Sequence, residues 1–575
     1  MKPNTRWGKV VSAVSVSISI GLAGCGVDGP APSEVTGIEP GGCLHFTDVT
    51  NASGVDFKHH NGRMGTFRYP EIMGGGVALF DADGDGHLDL YLVNGNELAS
   101  EPSLEIANVL YRNRGDGTFV NVTAAAGLGD TGYGQGVCVA DVDNDGDQDL
   151  YLTNYGPDRF FVNHGDGVFS DRTGPAGLDN PRWGQSCVFL DMDRDGWLDL
   201  YVQNYLEYDL ADHQEAHTVI DGERVRDYLT PRVYAGAADQ MYRNNGDGTF
   251  SDVSDESGIA LSGGKGMGAA SLDYDCDGSP DVFVANDGAA NFMFRNRGDA
   301  TFEEVGLTAG VATSGTGVME SSMGVDVGDM DGDGRFDLIV PVIRREVFSM
   351  YLGLEHGFRD ASVERGLARS TSNRTGFSPN LFDGDHDGDL DIFVSCGGVQ
   401  VNRSMTGGDF ADRYGEPDLL LINGGAGDFH DGSGAAGAHF ETRRVGRGSA
   451  MGDLDNDGDL DLVISNLDDD VVVLRNDLGE SCDHESHNWL TIGLAGSRSN
   501  RDAIGARVEI QTGGKSQVRL IRGGGSYLSA SDRRLHFGLG SSDRVDTVTV
   551  LWPSGHRQTI ESVAANQYIE IIESP

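Results

Sequence analysis

Asp81-Ala82-Asp83-Gly84-Asp85-Gly86-His87-Leu88-Asp89 decides the fold of this chain, because the same pattern returns six more times. Aspartate stands at positions one, three, five and nine of every copy, with glycine at position six. The full set is Asp81, Asp83, Asp85 and Asp89; Asp141, Asp143, Asp145 and Asp149; Asp191, Asp193, Asp195 and Asp199; Asp273, Asp275, Asp277 and Asp281; Asp329, Asp331, Asp333 and Asp337; Asp383, Asp385, Asp387 and Asp391; and Asp453, Asp455, Asp457 and Asp461. So many carboxylates within nine residues repel one another unless a cation neutralises them. Short oxygen ligands spaced along a tight turn suit a hard ion that takes several oxygens, above all calcium. Three aspartate side chains, the carbonyl of position seven and the position-nine aspartate are the predicted ligands, with a structural role. An EF-hand needs a glutamate at position twelve and flanking helices. Position twelve here is Leu92, Leu152, Val202, Val284, Val340, Val394 or Ile464, inside strand-like runs.

A second motif alternates with the first. It begins at Phe46, Phe119, Phe169, Phe250, Phe302, Phe358 and Phe429, and several copies follow a hairpin-type turn such as Gly115-Asp116-Gly117-Thr118. Between the two motifs apolar residues alternate with period two, so each repeat holds about four short strands, the content of one propeller blade. The repeats start on the Phe46 half-motif and stop on the Asp453 half-motif. Neither end is a whole unit, and the two complete each other, which predicts a closed ring whose N-terminal strand fills the last blade. An open solenoid would need atypical caps instead. The expectation is all-β: a seven-bladed propeller over 45–482, with glycines such as Gly74, Gly75, Gly76, Gly134, Gly136, Gly266, Gly268 and Gly324 where inner strands crowd the axis.

Charge marks a second boundary. The chain of 575 residues carries a net charge of −48, which argues against nucleic acid and polyanionic surfaces as partners. From Asp483 onward ten basic residues balance ten acidic ones, so the whole excess lies earlier. The segment 486–575 alternates in period two around Val508, Val518, Val545 and Tyr568, as a small β-sandwich or barrel does.

At the other end, Lys2, Arg6 and Lys9 precede an apolar run from Val10 to Leu22, too short to span a bilayer comfortably. It ends in Leu22-Ala23-Gly24-Cys25, which resembles a bacterial lipobox. That resemblance implies a signal peptide over 1–24, lipidation of Cys25, a tether over 25–44 and an extracytoplasmic place in a bacterial envelope, membrane contact being through the lipid alone. The competing reading is an ordinary cleaved signal and a secreted protein. Of the other cysteines, Cys43 and Cys482 flank the repeats and can pair if the chain closes on itself. Cys138 and Cys187 lie three and four positions before their Asp loops and so point to opposite faces of comparable strands, which argues against a pair.

The Asp loops and the Phe-x-Asp-Val-Thr strings resemble FG-GAP or VCBS repeats of the integrin α type. Met73 to Gly86 resembles the cartilage acidic protein-like family. Ser499 to Arg507, Gly524-Gly525-Ser526-Tyr527-Leu528-Ser529 and Leu551-Trp552-Pro553-Ser554-Gly555 resemble the ASPIC and UnbV domain. These resemblances cover about residues 45–573. No EGF-like module follows, so a role that depends on one does not carry over.

Other motifs weigh less. His213-Gln214-Glu215-Ala216-His217 has i, i+4 histidines for a helix face, but Glu215 is misplaced for a zincin and no third ligand is evident, so a solvated insertion is the plainer reading. Gly432 to Gly437 matches a dinucleotide fingerprint but aligns with repeat punctuation at Ala124 to Gly127. Two segments break the repeat rhythm: Tyr205 to Gln240, with Tyr228, Arg232 and Tyr234, and Cys396 to Leu419, with Asn402, Arg403, Asp412 and Tyr414. Long loops on a rigid scaffold shape binding surfaces or pack as lids. Asn500-Arg501-Asp502 and Asp532-Arg533-Arg534 read as polar turns or interdomain ion pairs.

The composite expectation is a calcium-stabilised, lipid-anchored binding or scaffold protein for a protein or glycan partner. The alternative is a calcium-dependent enzyme of a biosynthetic pathway, its site near the axis at His59, His60, Glu71 and the insertions; a third is a purely structural envelope protein.

Overall fold

The computed structural model describes residues 44–98, 102–220, 222–401, 408–478 and 487–575. The signal segment, Cys25, the tether, the Cys43–Cys482 pair, Asn402 and Arg403 lie outside them. Among the described residues, seven four-stranded antiparallel sheets occupy the repeat region. In blade 1 the strands are Val77–Phe80, Asp89–Leu92, Val109–Asn113 and Phe119–Asn121, from axis to rim. Blades 2 to 6 repeat this order, starting at Gly134, Gly184, Gly266, Asp326 and Gly376. Blade 7 is composite: Gly446–Gly452, Asp461–Asn466 and Val472–Asn476 are completed by Phe46–Asp48, with Phe46 opposite Asn476. The phase of the two motifs had predicted this closure, and the innermost strands touch in cyclic order around the ring.

Every Asp loop joins the first strand of a blade to the second, and the second strand starts at the position-nine aspartate in all seven. Strand flanks on both sides exclude an EF-hand. In antiparallel blades that connection falls on one face of the disc, while second-to-third and blade-to-blade connections fall on the other.

The tail forms two sheets: Leu535–Gly540, Asn488–Ala495 and Gln567–Ile572; and Lys515–Leu520, Arg507–Thr512, Arg544–Leu551 and Arg557–Ala564. Leu490, Ile492, Val508, Ile510, Phe537, Val548, Val550 and Trp552 are buried in one cluster with residues of blades 2 and 3, so the sandwich packs on the ring. It also sends a loop into it. Gly523 to Ser531 runs along the axis. Its carbonyls accept from Phe189 (Gly523 O, 2.9 Å), Val325 (Ser526 O, 3.0 Å), Val137 (Leu528 O, 3.0 Å) and Leu79 (Ala530 O, 2.9 Å). These are first strands, or the residue leading into one, of four different blades. A Cβ on Gly76 would overlap the Leu528 carbonyl, which is why that inner strand tolerates no side chain there.

Cys138 and Cys187 form a disulfide, contrary to the expectation from their parity. The error was geometric. Blades stack face to face, so the face of blade 2 that meets blade 3 is the opposite of the face blade 3 turns back. Cys138 with Tyr151, and Cys187 with Phe189 and Val202, line that one interface, whereas Val188 and Leu190 face blade 4. Opposite parity on comparable strands is what a cross-blade pair requires.

Candidate metal loops and the capped axis

The loops share one hydrogen-bond plan. The position-one carboxylate accepts from the N–H of position six, as Asp81 does from Gly86 at 2.8 Å, and the same bond recurs in the other six loops. Gly86 has φ +88, a left-handed turn that costs glycine nothing. The position-nine carboxylate accepts from the position-two N–H and from the third strand, as Asp89 does from Ala82 at 3.1 Å and Asn113 at 2.8 Å. These N–H groups aim the remaining lone pairs inward. Ligating atoms of Asp81, Asp83 and Asp85 lie within 4.8 Å of one another, as do those of Asp141, Asp143 and Asp149, of Asp191, Asp193 and Asp199, of Asp273, Asp275 and Asp281, and of Asp329, Asp331 and Asp333. Asp145, Asp195, Asp277, Asp337, Asp385, Asp387, Asp455 and Asp457 fill the corresponding positions of their loops.

Two features show that these loops suit a cation. Oδ1 of the position-three aspartate is buried without a hydrogen-bond partner in Asp83, Asp193, Asp275, Asp331 and Asp455. Buried oxygens are seldom left so. The carboxyls are also hard to ionise. Burial first, with neighbouring carboxylates adding, pushes Asp141 up to about 7; burial likewise raises Asp89 and Asp191 to about 7 and Asp281 and Asp337 to about 8. Asp149, Asp199, Asp383, Asp391 and Asp461 are pushed well above the ordinary range, again by burial first.

Sequence reading missed the clamps between loops. Asn113 Nδ2 donates to the Leu454 carbonyl, at position two of the preceding blade's loop. Asn163, Asn244, Asn296, Asn423 and Asn476 repeat the contact to Ala82, Val142, Met192, Met330 and Gly384. Blade 5 has Gly353 in that place, which keeps only the backbone bond to Asp337. The signal was present: an asparagine precedes the hairpin turn in six blades.

The tail covers the loop face. Asp502 accepts from the Asp141 N–H at 2.8 Å, Gly538 N–H donates to Asp383 at 2.9 Å, Arg507 donates to the Gly334 carbonyl at 2.8 Å, and the Tyr568 hydroxyl bonds Asp453. Asp502 also pairs with Arg533, and Arg534 with Asp532. The two polar turns read from sequence therefore build the tail's seat on the ring. A cavity of about 710 Å³ remains at this junction, lined by Arg519, Arg522 and Arg533 among others.

On the opposite face both insertions join into a lid. Asp227 accepts from the Tyr414 hydroxyl at 3.0 Å, and Arg413 donates to the Arg226 carbonyl at 2.9 Å. Tyr228 reaches Glu71 at 3.3 Å. Beneath it Tyr69, Trp183, Tyr205, Tyr208 and Phe377 pack with Tyr527, the tip of the axial loop. The Tyr69 and Tyr205 hydroxyls lie 3.0 Å apart and Tyr205 donates to Asp287 at 2.7 Å. Arg447 stacks 3.8 Å above Phe377 and donates to the carbonyls of Ile72, Gly397, Gly398 and Gly446; burial lowers its pKa to about 10.

The candidates for a reaction centre fare differently from one another. His59 and Glu71 are each 1% exposed, sealed under the lid. Burial lowers His59 to about 3 and raises Glu71, whose carboxylate accepts from Thr66 at 3.1 Å. His60 faces Glu97 at 3.5 Å near the surface. His213 and His217 share no helix face: His217 lies in the strand Ala216–Ile220 beside Arg224, and His213 lies against Tyr208.

Family models for the FG-GAP-like repeat match residues 81–152, 141–202, 227–284 and 273–340, and the model described as ASPIC and UnbV matches 496–575. Cartilage acidic protein 1 of Homo sapiens is 27% identical over 334 residues, covering 56% of this chain and 46% of that protein. Its Xenopus tropicalis counterpart is 26% identical over 332 residues, covering 56% and 47%. The chain thus spans about half the length of the curated relatives it matches. Among solved structures, YCF48 bound to D1 peptide aligns at TM-score 0.38 and 8% identity, over 70% of this chain and 91% of that one. An Agrocybe aegerita protein that recognises non-reducing terminal N-acetylglucosamine aligns at 0.35 and 18%, over 62% and 79%. Scores this low leave the propeller to rest on its own strand pairing. Taken with the matched models, that pairing makes the chain an FG-GAP-like repeat protein with a C-terminal ASPIC and UnbV region, similar to the cartilage acidic proteins.

Proposed function

We propose that the protein is an extracytoplasmic binding or scaffold protein, held in shape by calcium, that engages a protein or glycan partner through its lid face. One observation carries the binding role. Met64, Leu104, Val219, Val233, Val318 and Met319 are all more than half exposed, and all sit on connections of the lid face. Apolar groups exposed on one face suit contact with a partner there. The axis, meanwhile, is filled by the Gly523 to Ser531 loop and closed by the lid, which leaves His59 and Glu71 without access and disfavours the enzyme reading.

Calcium fits the loops because each gathers carboxylates that burial keeps from ionising alone, with an unpartnered oxygen at position three in five of them. Positions one, three, five and nine, with the position-seven carbonyl, would hold the ion; bound, it neutralises the loop and pins the strand connection. Propellers from about 45 to 482 and a tail from 486 to 575 are the proposed units, and Cys25 the proposed lipid anchor. Among the described residues no helix is long and apolar enough to cross a membrane. Relatives carry the extracellular setting: cartilage acidic protein 1 is named for cartilage.

The test combines a glycan array with photo-crosslinking from residue 219 on intact cells. A saturable partner that Met64→Glu with Val219→Glu abolishes, at unchanged melting temperature, supports the reading. A partner indifferent to both substitutions, or none at all, sinks it.

A further inference from the structure

Two sequence motifs of the tail meet on the loop face, away from the lid. Ser499 to Arg507 and Leu551 to Gly555 lie side by side, the Ser554 N–H donating to Ser499 Oγ at 3.1 Å. Glu573 clamps both. Its carboxylate accepts from the N–H groups of Ser497, Arg498 and Ser499 at 2.8–2.9 Å and from the Ser554 hydroxyl. Hydrogen bonds to a charged acceptor are strong, so the two turns are fixed against each other.

Where these turns face loops three and four, they border a cavity of about 360 Å³, within the size range of small-molecule sites. Leu190, Leu272, Ile504, Leu520 and Pro553 give it apolar walls. Trp552 lines it too. That side chain is 1% exposed, and its Nε1–H is buried with no acceptor among the described residues. An indole nitrogen only donates, so no tautomer or ring flip satisfies it from within. A buried donor left unpaired is costly.

Two arginines border the same cavity, Arg194 of loop three and Arg498 of the tail, and both are exposed. Arg194 reaches across to the Gly278 carbonyl of loop four at 3.4 Å, while the Arg498 carbonyl packs over Gly196 of loop three. Neither guanidinium has a carboxylate partner among the described residues. Asp191 and Asp273, also on the cavity wall, accept instead from Gly196 and Gly278 of their own loops, at 3.0 and 2.9 Å. In a chain with 90 acidic and 42 basic residues, two such arginines on one rim are free to meet an anion from outside.

We propose that this cavity binds a small organic acid. Its apolar body lies against Leu272 and Leu520, an acceptor oxygen takes the Trp552 Nε1–H, and its carboxylate meets Arg194 and Arg498. Glu573 is a positioning residue, holding Arg498 and Trp552 on their two turns. The site is separate from the partner surface of the lid face and does not depend on it.

The test uses the full chain in millimolar calcium. The probe is a methoxynaphthoate whose ether oxygen and carboxylate stand at opposite ends of the rings. Calorimetric titration should find one site per chain with a Kd below about 500 μM, a modest demand for a probe of this size in a fitted site. Arg194→Gln combined with Arg498→Gln should weaken binding at least about tenfold, and the uncharged carboxamide of the probe should bind the wild type at least about tenfold more weakly. Weaker binding of the probe, affinity untouched by the double substitution, or equal affinity for the carboxamide would overturn the proposal. Should the double variant fail to fold, a crystal of the wild-type protein with the matching bromonaphthoate decides. A bromine anomalous peak beside Trp552 supports the site, and a peak elsewhere or none refutes it.

Discussion

Asn113 donates its side-chain amide to the Leu454 carbonyl at 2.7 Å, so a residue of the first blade holds the Asp loop of the last. The same asparagine uses its backbone N–H to hold Asp89 of its own blade and its Oδ1 to accept from Gly115. One buried side chain therefore links two loops and a turn across the point where the ring closes. Asn113→Ala leaves the Leu454 carbonyl buried without that partner and should destabilise the protein by ~1–3 kcal/mol. Asn245, exposed beside the equivalent Asn244 of blade 3, bonds only Thr249 and Ser251 of its own hairpin, and Asn245→Ala should change little. Urea melts of the two variants compare them directly.

The axial loop should matter more. Tyr527 is fully buried against Phe377, at 4.9 Å between ring centroids. Replacing it with alanine empties the middle of the disc and should cost ~3–5 kcal/mol. A chain ending before residue 487 also strands the N–H groups of Leu79, Val137, Phe189 and Val325 that the loop satisfies. Such a truncation should melt without cooperativity. A truncated ring as stable as the full chain would show that the tail is an independent attachment.

Joining blades 2 and 3, the Cys138–Cys187 bond should contribute ~2–4 kcal/mol. Thiol counting before and after reduction, followed by thermal melts, measures both the bond and its effect. Two freely reactive thiols in the native protein would contradict the assignment.

Acidity offers a check on the loops themselves. Asp89 and Asp141 rise to about 7 and Asp281 and Asp337 to about 8, all through burial first. A carboxyl raised in the folded state contributes stability that is complete below its unfolded pKa and is lost as pH climbs through the folded one. Ion-free protein should thus lose stability from pH 6.5 to 8.5. The buried histidines do not obscure this window, because His59 and His386 are depressed to about 3 and 4 by burial and act only at lower pH. With calcium bound the slope should vanish, since the ion replaces the proton. Melting temperatures in chelator and in calcium across that range provide the comparison.

Much of the ring was legible in the chain because its information is local and repeated. The Asp loops, the Phe half-motifs and their phase predicted the composite last blade, and period-two runs at Val508, Val518, Val545 and Tyr568 marked tail strands. What escaped depends on relations between segments. Nothing in Gly523 to Ser531 announces a loop that fills an axis, because its partners are backbone groups of several blades. Tyr414 and Asp227 meet only after both insertions fold over the same face. Parity misled for Cys138 and Cys187 because it was judged within a sheet, whereas the bond lies between sheets.

The central claim is that calcium holds this ring closed. Scanning calorimetry of the full chain, first with excess EGTA and then with millimolar calcium, tests it most directly. Several sites that bind only the folded state should together raise the melting temperature by at least about 10 °C, reversibly. Identical melting curves in EGTA and in calcium would contradict the account.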